Sequence, residues 1–169
     1  SVRCACETTN CGLCTVWLDG DPVLSCSVPA ARVEGHTVTT LEGLKAESEA
    51  LARAMAAEGA EQCGFCAPGL IMNVLALARA AKEAPSLVAT REELSRQLAG
   101  NLCRCSGYES QLRAIVRFLN ESGVQVGFEM PELPVNDTSC DGVSYKQIYP
   151  QAAQEGLKGA ARGSSRLYR

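Results

Sequence analysis

The sequence lacks several features that would assign it to a common class of protein. Only 5% of its 169 residues are aromatic, His36 is its one histidine, and its formal net charge is −3. It has no basic stripe with interleaved aromatic residues, which argues against nucleic acid as a partner. Its longest apolar run, residues 69–78, is too short to span a bilayer. No charged segment followed by an apolar one opens the chain, so we predict no secretory signal and a cytoplasmic location.

Cysteine is the residue that the sequence has in excess. The ten cysteines are Cys4, Cys6, Cys11, Cys14, Cys26, Cys63, Cys66, Cys103, Cys105 and Cys140. Disulfides, zinc sites and iron–sulfur clusters compete to explain them. Disulfides mostly stabilise small secreted domains that cannot build a hydrophobic core, and this chain is long enough to build one. No Ser–His–Asp set and no phosphate-binding loop is recognisable, so we predict no catalytic residue on this chain.

Residues 14–28 have the pattern of a β-hairpin. The segments 14–18 and 23–28 are rich in β-branched residues, and the sequence DGDP at 19–22 between them is a turn signal. Residues 36–38 are a candidate for one more short strand. Since a lone hairpin is only marginally stable in water, this region needs further packing partners.

From residue 39 onward the apolar spacing becomes helical. Thr39 and Glu42 form a capping-box pattern at the start of a first helix. Pro68 suits the first turn of a second helix, where its missing N–H costs nothing. Thr90 heads another capping box and a third helix, and residues 112–119 carry the apolar face of a fourth. Four short helices with brief connections predict a helical bundle.

Four cysteines in the hairpin region have the spacing of a plant-type [2Fe–2S] ferredoxin. Cys6-x4-Cys11-x2-Cys14 is followed by Cys26, which the predicted return strand would carry. Three thiolates must converge from one loop, and Gly12 lets the backbone bend closely around the inorganic sulfur atoms. Zinc sites more often use two C-x2-C pairs, and this segment has only one. These four cysteines, the first cysteine set, therefore favour an iron–sulfur cluster over zinc.

The second cysteine set consists of two pairs, Cys63 with Cys66 and Cys103 with Cys105. The first pair precedes the second predicted helix, and the other pair lies between the third and fourth. Both pairs are thus at helix starts, where the partial positive charge favours thiolate over thiol. Two such pairs can close on one metal centre between them. The spacing alone leaves both a [2Fe–2S] cluster and a zinc ion open for this set.

Three motifs together resemble a known family. They are CETTNCGLCTVWLDGDPVLSC at residues 6–26, QCGFCAPG at 62–69 and GNLCRCSGY at 100–108. In this order they are similar to the iron–sulfur subunit of the molybdenum hydroxylases, the group of xanthine dehydrogenase, aldehyde oxidoreductase and carbon monoxide dehydrogenase. The resemblance covers roughly residues 2–120. It implies a [2Fe–2S] cluster in the second cysteine set as well as in the first.

The resemblance implies an α+β fold with two cluster domains. A β-grasp, plant-type ferredoxin domain would occupy residues 1–38, and a four-helix bundle that binds a [2Fe–2S] cluster would occupy residues 39–123. Residues 124–169 match no part of the family and are predicted to form an extended, flexible C-terminal tail. The sequence begins almost at the first cluster loop, where the family has a preceding hairpin and helix. We therefore expect the ferredoxin domain to be incomplete, with its N-terminal part missing.

The resemblance also implies an electron-transfer subunit whose substrate chemistry takes place on another chain. A large partner subunit would carry the molybdenum cofactor, a molybdopterin, and a medium subunit would carry FAD. The first cysteine set would hold the cluster farther from molybdenum and the second set the nearer one. Cys105 and Gln62 would contact the molybdopterin of the partner subunit. A purine or another nitrogen heterocycle is the expected substrate, and FAD or another acceptor would receive the electrons.

Two other functions remain open from the sequence. A stand-alone two-cluster ferredoxin would shuttle electrons between enzymes without permanent partners. A zinc-stabilised interaction module would fill both cysteine sets with zinc and have no redox role. Cys4 competes with Cys6, but only Cys6 gives the four-residue gap, so Cys4 is expected to be a free thiol, as is Cys140.

Overall fold

The computed structural model describes residues 1–84 and 90–130, which contain a three-stranded sheet and four α-helices. The strands are β1 (Thr15–Leu18), β2 (Asp21–Leu24) and β3 (Val38–Thr39). Both neighbours pair antiparallel with the central β1, in the order β2-β1-β3. The turn between β1 and β2 has positive φ at Asp19 (52°) and Gly20 (96°), as tight hairpin turns require. The predicted hairpin and a short third strand are thus present.

The return strand is shorter than we predicted. β2 ends at Leu24, and Cys26 lies in a 3-10 turn, Ser25–Ser27, instead of on the strand. The Ser27 hydroxyl donates to the Leu24 carbonyl (2.7 Å), and the Val28 N–H donates to the Ser25 carbonyl (3.3 Å). These local hydrogen bonds take the place of the sheet ladder, so the chain turns before Cys26.

The four helices are close to the predicted ones. Their bounds are α1 (Lys45–Ala57), α2 (Ala67–Glu83), α3 (Arg91–Leu98) and α4 (Tyr108–Glu121). Proline lies in the first turn of α2, and the Thr90 side chain caps α3 by accepting a hydrogen bond from the Glu93 N–H (3.1 Å). Both features confirm the sequence pattern.

The predicted capping box at Thr39 is wrong. Thr39 belongs to β3, where it pairs with Trp17, and a 3-10 turn, Leu41–Leu44, leads into α1. Thr40 is the N-cap residue of that turn and makes no side-chain capping hydrogen bond. Thr39 is therefore part of the sheet, although the local sequence pattern placed it at the start of a helix.

One hydrophobic core joins the sheet to the helices. Trp17 is 1% exposed, and its indole N–H donates to the Met72 carbonyl of α2 (2.9 Å), which anchors β1 on that helix. Leu51 of α1 and Leu119 of α4 are fully buried in the same cluster. Within the described ranges, no helix is both long enough and apolar enough to cross a bilayer.

The segment predicted as a tail begins against this core. Val124 is buried, and Val126, Phe128 and Met130 are partly buried against the same hydrophobic cluster. The start of this segment is therefore packed on the core, whereas we predicted a flexible segment from residue 124 onward. The remainder of that segment, including Cys140, lies outside the described residues.

Candidate metal centres

The first cysteine set lies in a loop that bends back on itself before β1. Glu7, Thr9 and Gly12 all have positive φ (52°, 61° and 73°), and these left-handed residues turn the backbone amides toward one sulfur. The Cys6 Sγ accepts hydrogen bonds from the N–H groups of Thr8 (3.4 Å) and Asn10 (3.5 Å). Backbone donors of this kind are what an anionic sulfur site needs.

The thiols of this set influence one another as two pairs. The Thr8 and Asn10 amides, with a smaller contribution from the Cys11 thiol, lower the pKa of Cys6 to about 6. The Cys14 and Cys26 thiols shift each other's pKa in opposite directions, lowering that of Cys14 and raising that of Cys26. Burial acts to raise the pKa of Cys14, but hydrogen bonds from the Cys26 backbone and side chain outweigh it, so that pKa is lowered. Cys11 and Cys14 are buried at the base of the loop, whereas Cys26 is exposed.

The second cysteine set is brought together from two distant segments. Cys66 is the N-cap residue of α2, and Cys103 and Cys105 lie in the connection between α3 and α4. All four cysteines of the set line one small pocket. They too influence one another as two pairs, because the Cys103 thiol raises the pKa of Cys66 and the Cys105 thiol lowers the pKa of Cys63.

Helix ends do not dominate the chemistry of these thiols as we predicted. Burial, followed by the neighbouring Cys103, raises the pKa of Cys66 to about 11, although Cys66 lies at the start of α2. The partial charge of a helix end is thus outweighed by desolvation. The pKa of Cys63 is lowered, chiefly by the Phe65 N–H and the Cys105 side chain. The prediction that helix starts favour thiolate is therefore wrong for Cys66.

The pairwise arrangement fits a two-iron cluster. A [2Fe–2S] core has two irons, and each needs two protein thiolates, so four cysteines arranged as two pairs match its requirement. A four-coordinate zinc ion instead needs four ligands around one point. The donor chemistry and the pairing therefore suit a [2Fe–2S] cluster in each set.

The two cysteine sites touch through their backbones. The Leu102 N–H donates to the Cys11 carbonyl (3.0 Å), so a neighbour of Cys103 is bonded directly to a member of the first set. A Cβ atom on Gly69 of α2 would lie 2.2 Å from the Gly12 carbonyl oxygen, closer than real Cβ atoms approach. Only glycine therefore lets α2 approach the first cysteine loop this closely.

Two residues of the second site escaped the sequence analysis. The Tyr108 hydroxyl accepts from the Cys103 N–H (2.8 Å) and donates to the Cys103 carbonyl (3.2 Å), so it braces the connection before α4. The Gln111 amide nitrogen lies 3.6 Å from the Cys66 sulfur. Tyr108 is the last residue of the motif GNLCRCSGY, and its place in that motif could have marked it as part of the second site. Gln111 has no comparable local signal.

The other residues singled out from the sequence lie on the surface or at the rim of the second site. Gln62 is exposed and lines the same pocket as the second cysteine set. Cys4 is exposed, and its sulfur lies 3.4 Å from a carboxylate oxygen of Glu7. His36 is exposed before β3, and its Nδ1 lies 2.5 Å from Asp19 Oδ2.

Comparison with known proteins identifies the family. A family model described as a [2Fe-2S] binding domain matches residues 40–116. The xanthine dehydrogenase iron–sulfur-binding subunit of Escherichia coli O157:H7 is 43% identical over 119 residues, which cover 69% of this chain and 72% of that protein. The chain belongs to the iron–sulfur subunits of the molybdenum hydroxylases. The nicotinate dehydrogenase small FeS subunit of Eubacterium barkeri is also similar to this iron–sulfur subunit, with 37% identity over 72% of this chain and 74% of that protein.

Solved structures of molybdenum hydroxylases resemble this iron–sulfur subunit as well. Quinoline 2-oxidoreductase from Pseudomonas putida 86 matches with a TM-score of 0.61 and 33% identity, over 72% of this chain and 75% of that one. Aldehyde oxidoreductase from Desulfovibrio desulfuricans ATCC 27774 matches with a TM-score of 0.62 and 35% identity, over 78% of this chain and 15% of that one. The predicted family and the α+β character are confirmed, and the chain is an electron-transfer subunit of an oxidoreductase.

Proposed function

We propose that this iron–sulfur subunit carries two [2Fe–2S] clusters and passes electrons from a molybdopterin centre to FAD or another acceptor. Each cluster, when bound, would supply a site that takes up and releases one electron at a time. The hydrogen bond between Leu102 and Cys11 is the observation that carries the proposal. It brings the backbones of the two cysteine sets into direct contact, and such closeness suits electron transfer from one cluster to the other.

The residues that would hold the clusters are the two cysteine sets. The first set, Cys6, Cys11, Cys14 and Cys26, would hold the cluster farther from molybdenum. The second set, Cys63, Cys66, Cys103 and Cys105, would hold the nearer one. The pairing of thiols in each set supports two irons per site. The short sheet with its cysteine loop supports a ferredoxin-like domain over residues 1–38, and α1–α4 support a four-helix domain over residues 39–123.

Exposed apolar side chains beside the second cysteine set support docking of the large subunit there. Phe65 is 43% exposed, and Leu102 and Tyr108 are each 48% exposed, although large apolar side chains are ordinarily buried. All three lie next to cysteines of the second set in the sequence or in space. Apolar surface around a redox site suits a permanent interface better than contact with water. We therefore propose that Gln62 and Cys105, on this side, contact the molybdopterin of the large subunit, and that a medium subunit with FAD lies nearer the first set.

The names of the relatives support a nitrogen heterocycle as the substrate of the assembly. Besides xanthine and nicotinate dehydrogenases, they include a caffeine dehydrogenase subunit of Pseudomonas sp. (strain CBB1), which is 38% identical. Xanthine, nicotinate and caffeine are all nitrogen heterocycles, and xanthine and caffeine are purines. We accordingly propose a purine or related ring for this protein. Its cytoplasmic location stays a prediction.

Electron paramagnetic resonance of the dithionite-reduced complex tests the two-cluster proposal, together with iron and acid-labile sulfide analysis. We expect two distinct S = 1/2 signals and about four iron atoms per chain, two for each cluster. A colourless, silent protein that contains zinc would instead indicate the zinc-stabilised interaction module. A single signal with half the iron would mean that one cysteine set is empty.

Purification of the native protein separates a permanent subunit from a stand-alone ferredoxin. We expect molybdenum, molybdopterin and FAD to elute together with the chain through size exclusion at high salt, because apolar interfaces resist salt. Elution of the chain alone with both clusters intact would establish the free electron shuttle.

A further inference from the structure

Gln111 is an unusual residue on the buried face of α4. Its side chain is 5% exposed, and the other buried residues of α4 are all apolar. Burying an amide in an apolar environment is unfavourable unless the amide is hydrogen-bonded. An apolar residue at this position would extend the hydrophobic face without that requirement. The buried amide of Gln111 therefore needs a hydrogen-bond partner that compensates for the loss of contact with water.

The partner of Gln111 is a sulfur of the second cysteine set. Its Nε2 lies 3.6 Å from the Sγ of Cys66, a normal separation for a hydrogen bond to sulfur, which is larger than oxygen. Gln111 also lines the pocket that contains all four cysteines of this set. The contact spans 45 positions in the sequence and joins α4 to the start of α2. The amide group is therefore directed into the metal site by helix packing.

We propose that Gln111 is a positioning residue that raises the reduction potential of the second [2Fe–2S] cluster. This inference rests on the proposed function, because it requires a cluster bound by the second cysteine set. A donated N–H withdraws electron density from a ligand sulfur and thereby stabilises the reduced cluster, which carries one more negative charge. A higher potential makes this cluster a better acceptor for an electron that leaves the molybdenum centre.

The first cysteine set obtains its sulfur hydrogen bonds in a different way. Its donors to Cys6 are the backbone amides of Thr8 and Asn10, which side-chain substitution does not remove. The Cys66 sulfur instead accepts from a side chain, although Cys63 of the same set has a backbone donor in the Phe65 N–H. Substitution at Gln111 therefore removes one donor from the second cluster and leaves the first cluster as an internal reference.

The test is a redox titration of the intact complex, followed by electron paramagnetic resonance. The variants are Gln111→Leu, which removes the donor, and Gln111→Glu, which keeps the size and adds a carboxylate. In Gln111→Leu, we expect the reduced-to-oxidised ratio of the second cluster at a fixed potential to fall about tenfold, which is about 59 mV for a one-electron couple. Gln111→Glu should produce a larger fall at alkaline pH, where its carboxyl group is ionised and the negative charge opposes reduction. The potential of the first cluster should not move.

The matched control is Gln97→Leu. Gln97 is exposed on α3, where its amide donates to Glu93 (3.1 Å), so neither cluster potential should change. Unchanged potentials of the second cluster in both Gln111 variants would overturn the inference and leave the proposed function intact. Absence of a second signal in the unaltered protein would instead overturn the proposed function. If Gln111→Leu loses iron, Gln111→Glu at alkaline pH decides, and a potential there equal to or above that of the parent would refute the tuning role.

Discussion

The first cysteine set lies within residues 6–26, whereas the second is drawn from two segments that α2 and α3 separate. The first site takes its form from a loop with three left-handed residues and from amides donated to Cys6. The second takes its form from helix packing, since α1, α2 and α4 bring its cysteines together. Local backbone geometry is thus sufficient for one site, and the other depends on the hydrophobic core.

This difference affects what each site tolerates. A side-chain change at the surface of the first loop leaves its backbone donors in place. A change in the helical core moves the segments that carry the second set, because core packing sets much of their relative position. Variants that alter one cysteine site and leave the other intact therefore test this difference most directly.

The largest effect is expected from Cys103→Ser. Loss of one ligand should abolish the second cluster, remove one of the two electron paramagnetic resonance signals and halve the iron content to about two atoms per chain. The first signal should persist, because its four cysteines are untouched. The matched control is Cys4→Ser, which alters an exposed thiol outside both cysteine sets and should retain both signals. Loss of both signals in Cys103→Ser would show that the sites cannot be filled separately.

Gly69→Ala should be the next most damaging change. The added Cβ would lie 2.2 Å from the Gly12 carbonyl, so α2 and the first cysteine loop must move apart. Overpacking of this kind outweighs the gain in helix propensity, and we expect a net loss of about 2 kcal/mol in the free energy of unfolding. Urea unfolding measures this loss of stability. The electron paramagnetic resonance signal of the first cluster should also broaden.

Gly100→Ala is the control for that substitution. A Cβ at Gly100 meets nothing within 4 Å, and its φ is not positive, so the stability should change by less than about 0.5 kcal/mol. Equal losses in the two variants would contradict the close approach of α2 to the first loop.

Tyr108→Phe is expected to have a smaller effect, confined to the second site. It removes the hydroxyl that bridges the N–H and carbonyl of Cys103, at a cost of about 1 kcal/mol, because water can reach this half-exposed group. The g-values of the second cluster should shift, while those of the first stay constant. A shift in both would mean that the hydroxyl acts through the overall fold.

Asp19→Asn should have the smallest effect, because Asp19 lies at the hairpin turn and outside both cysteine sets. The hydrogen bond with His36, followed by the Thr37 N–H, holds the pKa of Asp19 below its ordinary value. A lowered pKa stabilises the fold above the pKa of the unfolded chain, about 3.9, and this contribution disappears as the pH falls through the lowered value. The melting temperature of the variant should therefore be lower near neutral pH and equal to that of the parent in strong acid. If the melting temperatures of variant and parent differ by the same amount at every pH, the Asp19 carboxylate is not the source of the difference.

Local patterns predicted much of this fold. The hairpin, the proline in the first turn of α2 and the Thr90 cap follow from short-range sequence and are present. The eight cysteines were selected by spacing and motif alone, and each set does come together. The capping box at Thr39 failed because a long-range pairing with Trp17 competes for the same residue.

The missed features depend on tertiary contacts. The high pKa of Cys66 arises from burial by the folded core, which outweighs the local helix start on which the prediction was based. The contact between Gln111 and Cys66 joins residues 45 positions apart, so no local pattern in the sequence predicts it. The packing of residues 124–130 likewise depends on the folded hydrophobic core, and the sequence pattern alone does not predict which surface of that core they contact.

The hydrogen bond between Leu102 and Cys11 also bears on how the protein matures. An empty metal-binding loop loses conformational entropy when its cofactor is inserted. Since the two loops share this bond, ordering one of them already restricts the other, and the second insertion then meets a smaller entropic cost. Loading of the two proposed clusters should therefore be cooperative, with the second insertion easier than the first.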